Sequence, residues 1–259
     1  MKHILFFGLI VSVLLTSCKK SAKYDPSVKA ALSVEFDNIV GGSDLQLTTG
    51  SYTNAAGESF TVNKLKYYVS NFKLTNVDGS TYTVPQDDSY FLIDESDATT
   101  HEPELEIPEG EYKTLSFTLG VDSLRCTKDI SERSGVLDPT ATGGDMYWGW
   151  NSGYIFFKME GSSPAAAMGY MYHIGGFGGY SSSTINNIKQ ITIDLTGRGT
   201  AQVKANKETN IHLMVDVLKV FNGAANVSIA TNSMVMFSAF STTVANNYTV
   251  MFQHDHTEN

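Results

Sequence analysis

The residues of this chain best suited to bind a metal are its histidines, and two of them are close in sequence. His254 and His256 flank Asp255 near the C-terminus. Alternate residues of a strand point to the same side, so both imidazoles would face one ion if this segment is a strand. A solvated polar tail is the competing interpretation. Familiar zinc spacings, such as Cys-x-x-Cys and His-Glu-x-x-His, are absent.

Two further histidines have contrasting surroundings. His173 follows an aromatic segment and precedes Gly175 and Gly176, where a glycine-containing turn lets the backbone bend closely around a site. His212 alternates with the apolar residues Ile211 and Leu213, so it points away from the predicted core. We therefore expect His212 to be solvent-exposed, and His173 to be the stronger candidate ligand.

The richest aromatic segment covers residues 146–161 and contains the only two tryptophans, Trp148 and Trp150. Side chains two apart on a strand share a face, so the two indoles would lie together. Packing in the core of a β-protein explains such a segment without further function, because aromatic side chains dominate buried area.

Charge and motif content argue against several classes of function. The formal net charge is −9 at pH 7, and the lysines show no cluster beyond Lys19 and Lys20, so nucleic acid is not an expected partner. A serine hydrolase would need a Gly-x-Ser-x-Gly elbow, which is missing. No pair of carboxylates is identifiable as that of a glycosidase. We predict that the protein is not an enzyme.

The N-terminus predicts export and lipidation. A short basic start precedes an apolar run over residues 4–15, and Thr16 and Ser17 lead into Cys18. This pattern is typical of a bacterial lipobox, in which residues 1–17 are removed and Cys18 carries the lipid. Residues 18–28 would then form a polar tether. The lysines after Cys18 favour an outer-membrane anchor facing the periplasm. The one other cysteine, Cys126, is expected to be buried or incidental.

The remaining chain has the periodicity of a β-protein. Apolar residues alternate with polar ones over residues 32–37, 114–121 and 211–217, as in strands with one buried face. Turn signals such as Asp78-Gly79 and Asn222-Gly223 separate the segments. No amphipathic helix of ten residues is evident. We predict an all-β fold, an antiparallel β-sandwich with long functional loops, in one domain over residues 29–259.

The chain resembles the MbnP-like family of copper-binding periplasmic and lipoprotein domains, which is widespread in Bacteroidetes-type bacteria. No single segment is strong, and the resemblance depends on their number and order. The segments that carry it are residues 60–71, 90–94, 107–112, 117–123, 135–139, 146–161, 172–176 and 254–256.

This resemblance implies a mononuclear copper site made of histidines and a kynurenine. The kynurenine would derive from Trp148 or Trp150, and a dihaem peroxidase-type partner would be the maturation enzyme. His173 would be one imidazole ligand, and His256 the second, with His254 as its alternative. Imidazole suits copper of either oxidation state, and thioethers such as those of Met146 or Met171 would favour Cu(I).

The competing hypothesis is a metal-free envelope module that binds a protein or a glycan. Acidic, aromatic-rich β-sandwiches serve such roles, because function depends on the site and not on the fold. The two hypotheses differ in what they expect of the histidines. A metal site requires them to converge, whereas an interaction module leaves them apart.

Overall fold

A computed structural model describes residues 23–140, 145–150 and 153–259, and most of this chain is strand. The predicted signal peptide and Cys18 lie outside the described residues. The strands are β1 Lys29–Val40, β2 Ser43–Asp44, β3 Tyr52–Thr53, β4 Ser59–Phe60, β5 Lys64–Asn76, β6 Thr81–Thr83, β7 Tyr90–Asp94, β8 Glu104–Pro108, β9 Gly110–Leu119, β10 Tyr147–Trp148, β11 Gly153–Ser163, β12 Ala166–Gly175, β13 Lys189–Asp194, β14 Ala201–Val203, β15 Thr209–Asp216, β16 Met234–Val235 and β17 Phe252–Glu258.

Helices are few and short in this part of the chain. The α-helices are α1 Ser123–Cys126, α2 Lys219–Asn222 and α3 Ser241–Asn247. Single 3-10 turns cover Gln86–Asp88, Ala98–Thr100, Ile130–Glu132, Gly135–Leu137 and Tyr248–Val250. A bilayer crossing takes about 20 apolar residues in a helix. None of the helices seen in the described segments has the length and apolar character to cross one.

The strands form two main sheets that pack face to face. The smaller sheet has the order β17-β15-β1-β2, with β8 also paired to β1. The larger has the order β13-β9-β5-β11-β12-β16, with β6, β7, β10 and β14 added to its strands. The all-β sandwich is confirmed. Its sheets are mixed, since β1 pairs with β15 and β12 with β16 in parallel. These pairings join strands distant in sequence, which local periodicity does not specify.

Alternation of burial follows the sequence pattern. Along β15, Ile211, Leu213 and Val215 are fully buried, while His212 and the residues after each apolar position face outward. A phenylalanine cluster joins the two sheets. Phe117 of β9 lies 5.6 Å from Phe36 of β1 and 5.1 Å from Phe252 of β17, measured between ring centroids. The cluster therefore holds the start of β17 against the core.

Glu58 connects two segments far apart in sequence. Its carboxylate accepts hydrogen bonds from the Ser228 hydroxyl at 2.7 Å, the Ile229 amide at 2.6 Å and the Ala230 amide at 3.0 Å. It also accepts one from the Asn54 side chain at 2.7 Å. Burial alone would raise the pKa of Glu58, but these donors stabilise the carboxylate and lower the pKa to about 2.

We expect Glu58→Gln to lower the free energy of unfolding by about 1–2 kcal/mol at pH 7, a value reduced for solvent screening. Because the pKa of Glu58 is lowered in the folded protein, its carboxylate stabilises the fold fully above pH 4.5. This stabilisation is lost as the pH falls toward 2, so the stability difference between wild type and Glu58→Gln should shrink in acid. Denaturant unfolding at pH 7 and pH 3 measures it. Glu132→Gln is the control, because the Glu132 side chain makes an exposed ion pair with Lys128 and no other ion pair within the described part of the chain. Equal stability of wild type and Glu58→Gln at pH 7 would contradict the prediction.

Candidate metal centre

Three donor side chains converge on the outer face of the smaller sheet. His212 of β15 and Asp255 and His256 of β17 each offer a ligand atom, and these atoms all lie within 4.8 Å of one another. The two Nδ1 atoms are 3.3 Å apart. Asp255 Oδ2 lies 2.7 Å from Nδ1 of His256 and 3.2 Å from Nδ1 of His212. One cation could thus be held by two imidazole nitrogens and a carboxylate oxygen.

An irregularity in strand pairing brings Asp255 into this group. β15 and β17 are antiparallel, with His212 opposite His256 and Leu213 opposite His254. Adjacent residues of β15 therefore face residues two apart on β17, and Asp255 is the extra residue of a β-bulge. Bulges redirect side chains, and here the carboxylate meets both imidazoles.

The same bulge separates His254 from His256. His254 Nε2 lies 2.9 Å from the Thr257 hydroxyl, and its Nδ1 is buried without a partner among the described residues. The expectation that both histidines face one ion assumed an unbroken strand alternation. In the structure, His256 joins His212, and His254 is directed elsewhere.

Each imidazole of the group also has carboxylates on its far side. Nε2 of His212 lies 3.6 Å from Asp37 and 3.9 Å from Glu35, both on β1. Nε2 of His256 lies 3.5 Å from Glu258. Metal-binding histidines usually present their second nitrogen to a carboxylate or carbonyl, which orients the ring and increases its basicity. These carboxylates lie on the side of such a partner, at ion-pair distances longer than a hydrogen bond.

The pKa shifts reflect this concentration of charge. A hydrogen bond from His256 and the nearby His212 lower the pKa of Asp255. Asp255 and Glu258 raise the pKa of His256, because they stabilise its imidazolium form. A metal ion at this site therefore competes with a proton for His256.

His173 is on the other sheet. It lies on β12 opposite Lys158 of β11, and its Nε2 is 2.7 Å from Glu160 Oε1. Burial lowers the pKa of His173 and so favours its neutral imidazole. The hydrogen bond with Glu160 acts in the opposite direction but is outweighed. Thus the structure does not place His173 in one cluster with His256 or His254, whose strand belongs to the smaller sheet.

The two tryptophans are adjacent but differ in exposure. Their rings are 5.4 Å apart between centroids. Trp148 is 5% exposed and Trp150 is 66% exposed. The Trp148 ring covers Gly175, where a Cβ atom would come within 2.8 Å of it. Gly175 is two residues beyond His173 on β12, so Trp148 packs against the strand that carries His173. This strand belongs to the larger sheet, whereas the His212 group is on the smaller one.

Comparison with known proteins identifies the family. The family model described as MbnP matches residues 29–238. The chain belongs to the MbnP family. A solved structure, MbnP from Methylosinus trichosporium, is similar to it with a TM-score of 0.55 and 16% sequence identity over 82% of each chain. At this identity the likeness concerns the fold. No curated protein matches the sequence.

The matched span divides the candidate residues of this MbnP family member. Trp148, Trp150, His173 and His212 lie within residues 29–238, whereas Asp255 and His256 follow it. The family match therefore gives no support to Asp255 and His256 as ligands, and their assignment depends on the geometry of the structure.

Sequence reasoning missed His212 in this family member. It was predicted to be solvent-exposed, yet its side chain is only 16% exposed because Asp255, His256 and two β1 carboxylates surround it. A histidine on the polar face of a strand carries no local signal of a partner strand. The sequence signal that could have identified His212 as a ligand was a second histidine-containing segment at the C-terminus, which could pair with its strand.

The lone described cysteine has the expected character. Cys126 is 1% exposed, and burial raises the pKa of its thiol far above the usual range. A thiol without an accessible thiolate is neither a good nucleophile nor a metal ligand. Cys126 therefore belongs to the core of this MbnP family member.

Proposed function

We propose that this MbnP family member binds one copper ion through His212, Asp255 and His256, and that it is a non-catalytic protein of copper acquisition or handling. The single observation that supports this site most strongly is the convergence of three ligand atoms within 4.8 Å. Membership of the MbnP family supports copper as the metal.

The donor set fits copper in its divalent state. Two imidazole nitrogens and one carboxylate oxygen are ligands that Cu²⁺ binds well, and among divalent first-row metals Cu²⁺ binds such sites most tightly. Glu35, Asp37 and Glu258 would orient the imidazoles and offset the charge of the ion. His256 is 47% exposed in its side chain, so an ion has direct access from solvent.

The proposed location is the bacterial envelope. Cys18 would be lipidated and would anchor the protein to the outer membrane, with the folded domain facing the periplasm. A dihaem peroxidase-type partner would supply the oxidant if Trp148 or Trp150 is converted to kynurenine. A product at Trp148 would lie against Gly175 of β12, on the other sheet from the His212 group. Peptide mass analysis of residues 146–161 after co-expression tests this modification.

Copper(II) titration of the purified protein tests the proposed centre. We expect one equivalent to bind, and His256→Ala to weaken the affinity by about tenfold or more, because a ligand is lost. His254→Ala is the matched control: it removes an imidazole from the same strand and should bind copper as wild type does. Competition against a chelator of known affinity gives the constants.

Two results would contradict the proposal. One is wild-type protein that binds no copper under conditions where it is folded. The other is equal weakening by His254→Ala and His256→Ala, which would indicate nonspecific binding along β17.

A specific cavity favours the interaction module as the second candidate function. It has a volume of about 260 Å³ and is lined by Trp148, Phe177, Tyr180 and Phe237 together with serine and threonine residues. The buried Nε1–H of Trp148 has no acceptor among the described residues. Aromatic rings and neutral hydroxyls suit an uncharged ring such as a sugar. If the protein binds no copper, binding of a sugar in this cavity is the function to test next.

A further inference from the structure

A cavity of about 550 Å³ is lined by β7 and by residues of the segment 125–137. Tyr90 and Phe91 of β7 contribute to it, as do Val136 and Leu137 of the 3-10 turn Gly135–Leu137. Arg125, the third residue of α1, is the buried charge of this lining, because its side chain is 10% exposed. The other charged side chains of the lining are each more than one-third exposed.

The guanidinium of Arg125 is held in a fixed position. Its Cζ atom lies 5.1 Å from the ring centre of Tyr90, so the cation rests over an aromatic face. Asp122 fixes both residues, because it accepts hydrogen bonds from the Arg125 amide at 3.0 Å and from the Tyr90 hydroxyl. Gln86 donates a further hydrogen bond to the Tyr90 hydroxyl at 2.9 Å. A group that is positioned in this way loses little freedom when a ligand binds to it.

A carboxylate of the protein already binds this guanidinium. Nη2 of Arg125 forms an ion pair with Oδ1 of Asp87, whose side chain is 84% exposed. Asp87 lies in the 3-10 turn Gln86–Asp88, outside the strands. Ion pairs with so exposed a partner contribute little to stability, so another carboxylate can replace that of Asp87 at low cost. The planar fork of a guanidinium matches the geometry of a carboxylate, and the position of Asp87 therefore marks where a ligand's carboxylate would bind.

The remainder of the lining determines what the rest of such a ligand can be. Phe91, Val136 and Leu137 contribute apolar side chains, and Leu137 is only 3% exposed. Lys128 lies 3.7 Å from Glu132, so the charges of this pair offset each other. The lining thus combines a buried cation with apolar side chains, which suits a molecule that has one anionic end and an apolar body.

We propose that this cavity binds a small monocarboxylate with an apolar body, such as an aromatic or branched aliphatic acid. The carboxylate of the ligand replaces that of Asp87 on Arg125. Its apolar part packs against Phe91, Val136 and Leu137. Because β7 is paired to β5 of the larger sheet, this site is separate from the proposed copper centre on the smaller sheet and does not depend on it.

Fluorine NMR of para-fluorobenzoate in the presence of the purified full-length protein provides the test. We expect this acid to bind saturably at one site. The uncharged para-fluorobenzamide has the same ring and should not bind, because the guanidinium selects a carboxylate. Acetate has the carboxylate without an apolar body, and should displace para-fluorobenzoate only at about tenfold higher concentration or more. Equal binding of the amide and the acid would overturn the proposal.

Variants of the ion pair test whether Arg125 is the binding group. Asp87→Asn removes the competing carboxylate and should tighten para-fluorobenzoate binding by about two- to fivefold. Asp88→Asn is the matched control. It removes the same charge from the next residue, which makes no ion pair with Arg125 among the described residues, and it should bind as wild type does. Arg125→Lys keeps the charge but loses the planar fork, and should weaken binding by about tenfold.

Two results with these variants would overturn the proposal. One is an equal affinity of Asp87→Asn and Asp88→Asn for para-fluorobenzoate, which would indicate a general effect of charge. The other is an absence of binding in Asp87→Asn. Thermal unfolding shows whether Arg125→Lys is folded, and the comparison of Asp87→Asn with Asp88→Asn decides the question even if it is not, since the Asp87 side chain is exposed.

Discussion

Copper(II) affinity is expected to fall about tenfold for each pH unit below the pKa of His256, and thus about 100-fold over two units. Asp255 and Glu258 raise this pKa because they stabilise the imidazolium form. Copper needs the neutral imidazole, so proton and metal compete for the same nitrogen. Above the raised pKa the proton is already absent, and the affinity should level off.

The sign of this effect depends on all the groups that face the site. Glu35 and Asp37 approach His212 from β1, Glu258 approaches His256, and Arg198 lies 3.3 Å from Asp255 Oδ1. Acidic groups outnumber the single arginine, so the site favours cations, protons included. Lower pH therefore weakens metal binding through competition.

Chelator competition at pH 8, 7, 6 and 5 measures the pH dependence. In Asp255→Asn the pKa of His256 should be less raised, so the decline should begin at lower pH, from a weaker starting affinity. His254→Ala should follow the wild-type curve. A copper affinity that is constant between pH 8 and pH 5 would exclude histidine ligation at this centre.

The second large effect is expected in the core: Phe117→Ala should lower the free energy of unfolding by about 3–5 kcal/mol. Phe117 is fully buried, and its ring meets Phe36, Phe72 and Phe252 at centroid distances of 5.1–5.7 Å. Truncation leaves a cavity between the two sheets that the surrounding strands cannot fill without moving. Two of the three partner rings belong to the smaller sheet, so contacts between the sheets are lost.

Denaturant unfolding monitored by tryptophan fluorescence measures this loss. Met168→Ala is the control, since that side chain is 95% exposed and should change stability by less than about 0.5 kcal/mol. Phe252 begins β17, which carries Asp255 and His256, so Phe117→Ala should also weaken copper binding. A destabilisation below about 1 kcal/mol would show that this cluster does not hold the sheets together.

The family resemblance was available from the sequence because it depends on ordered local segments. Residues 60–71, 117–123 and 146–161 each carry part of it, and the family match over residues 29–238 confirms it. The predicted sandwich is confirmed for a similar reason. Alternation in segments such as β9 and β15 is encoded by neighbouring residues, and in β15 burial follows it residue by residue.

The candidate site could not be obtained in this way, because its members come from strands that meet only in the folded chain. His212 joins His256 through the antiparallel pairing of β15 with β17, and the outer carboxylates arrive through the parallel pairing of β1 with β15. The bulge at Asp255 then decides which of two nearby histidines takes part. Periodicity predicted that Glu35, Asp37 and His212 lie on strands with buried neighbours, and it left residues 254–256 open between a strand and a polar tail. Strand pairing and one extra residue in β17 determined which of them converge, because such contacts are set by the packing of the whole sheet.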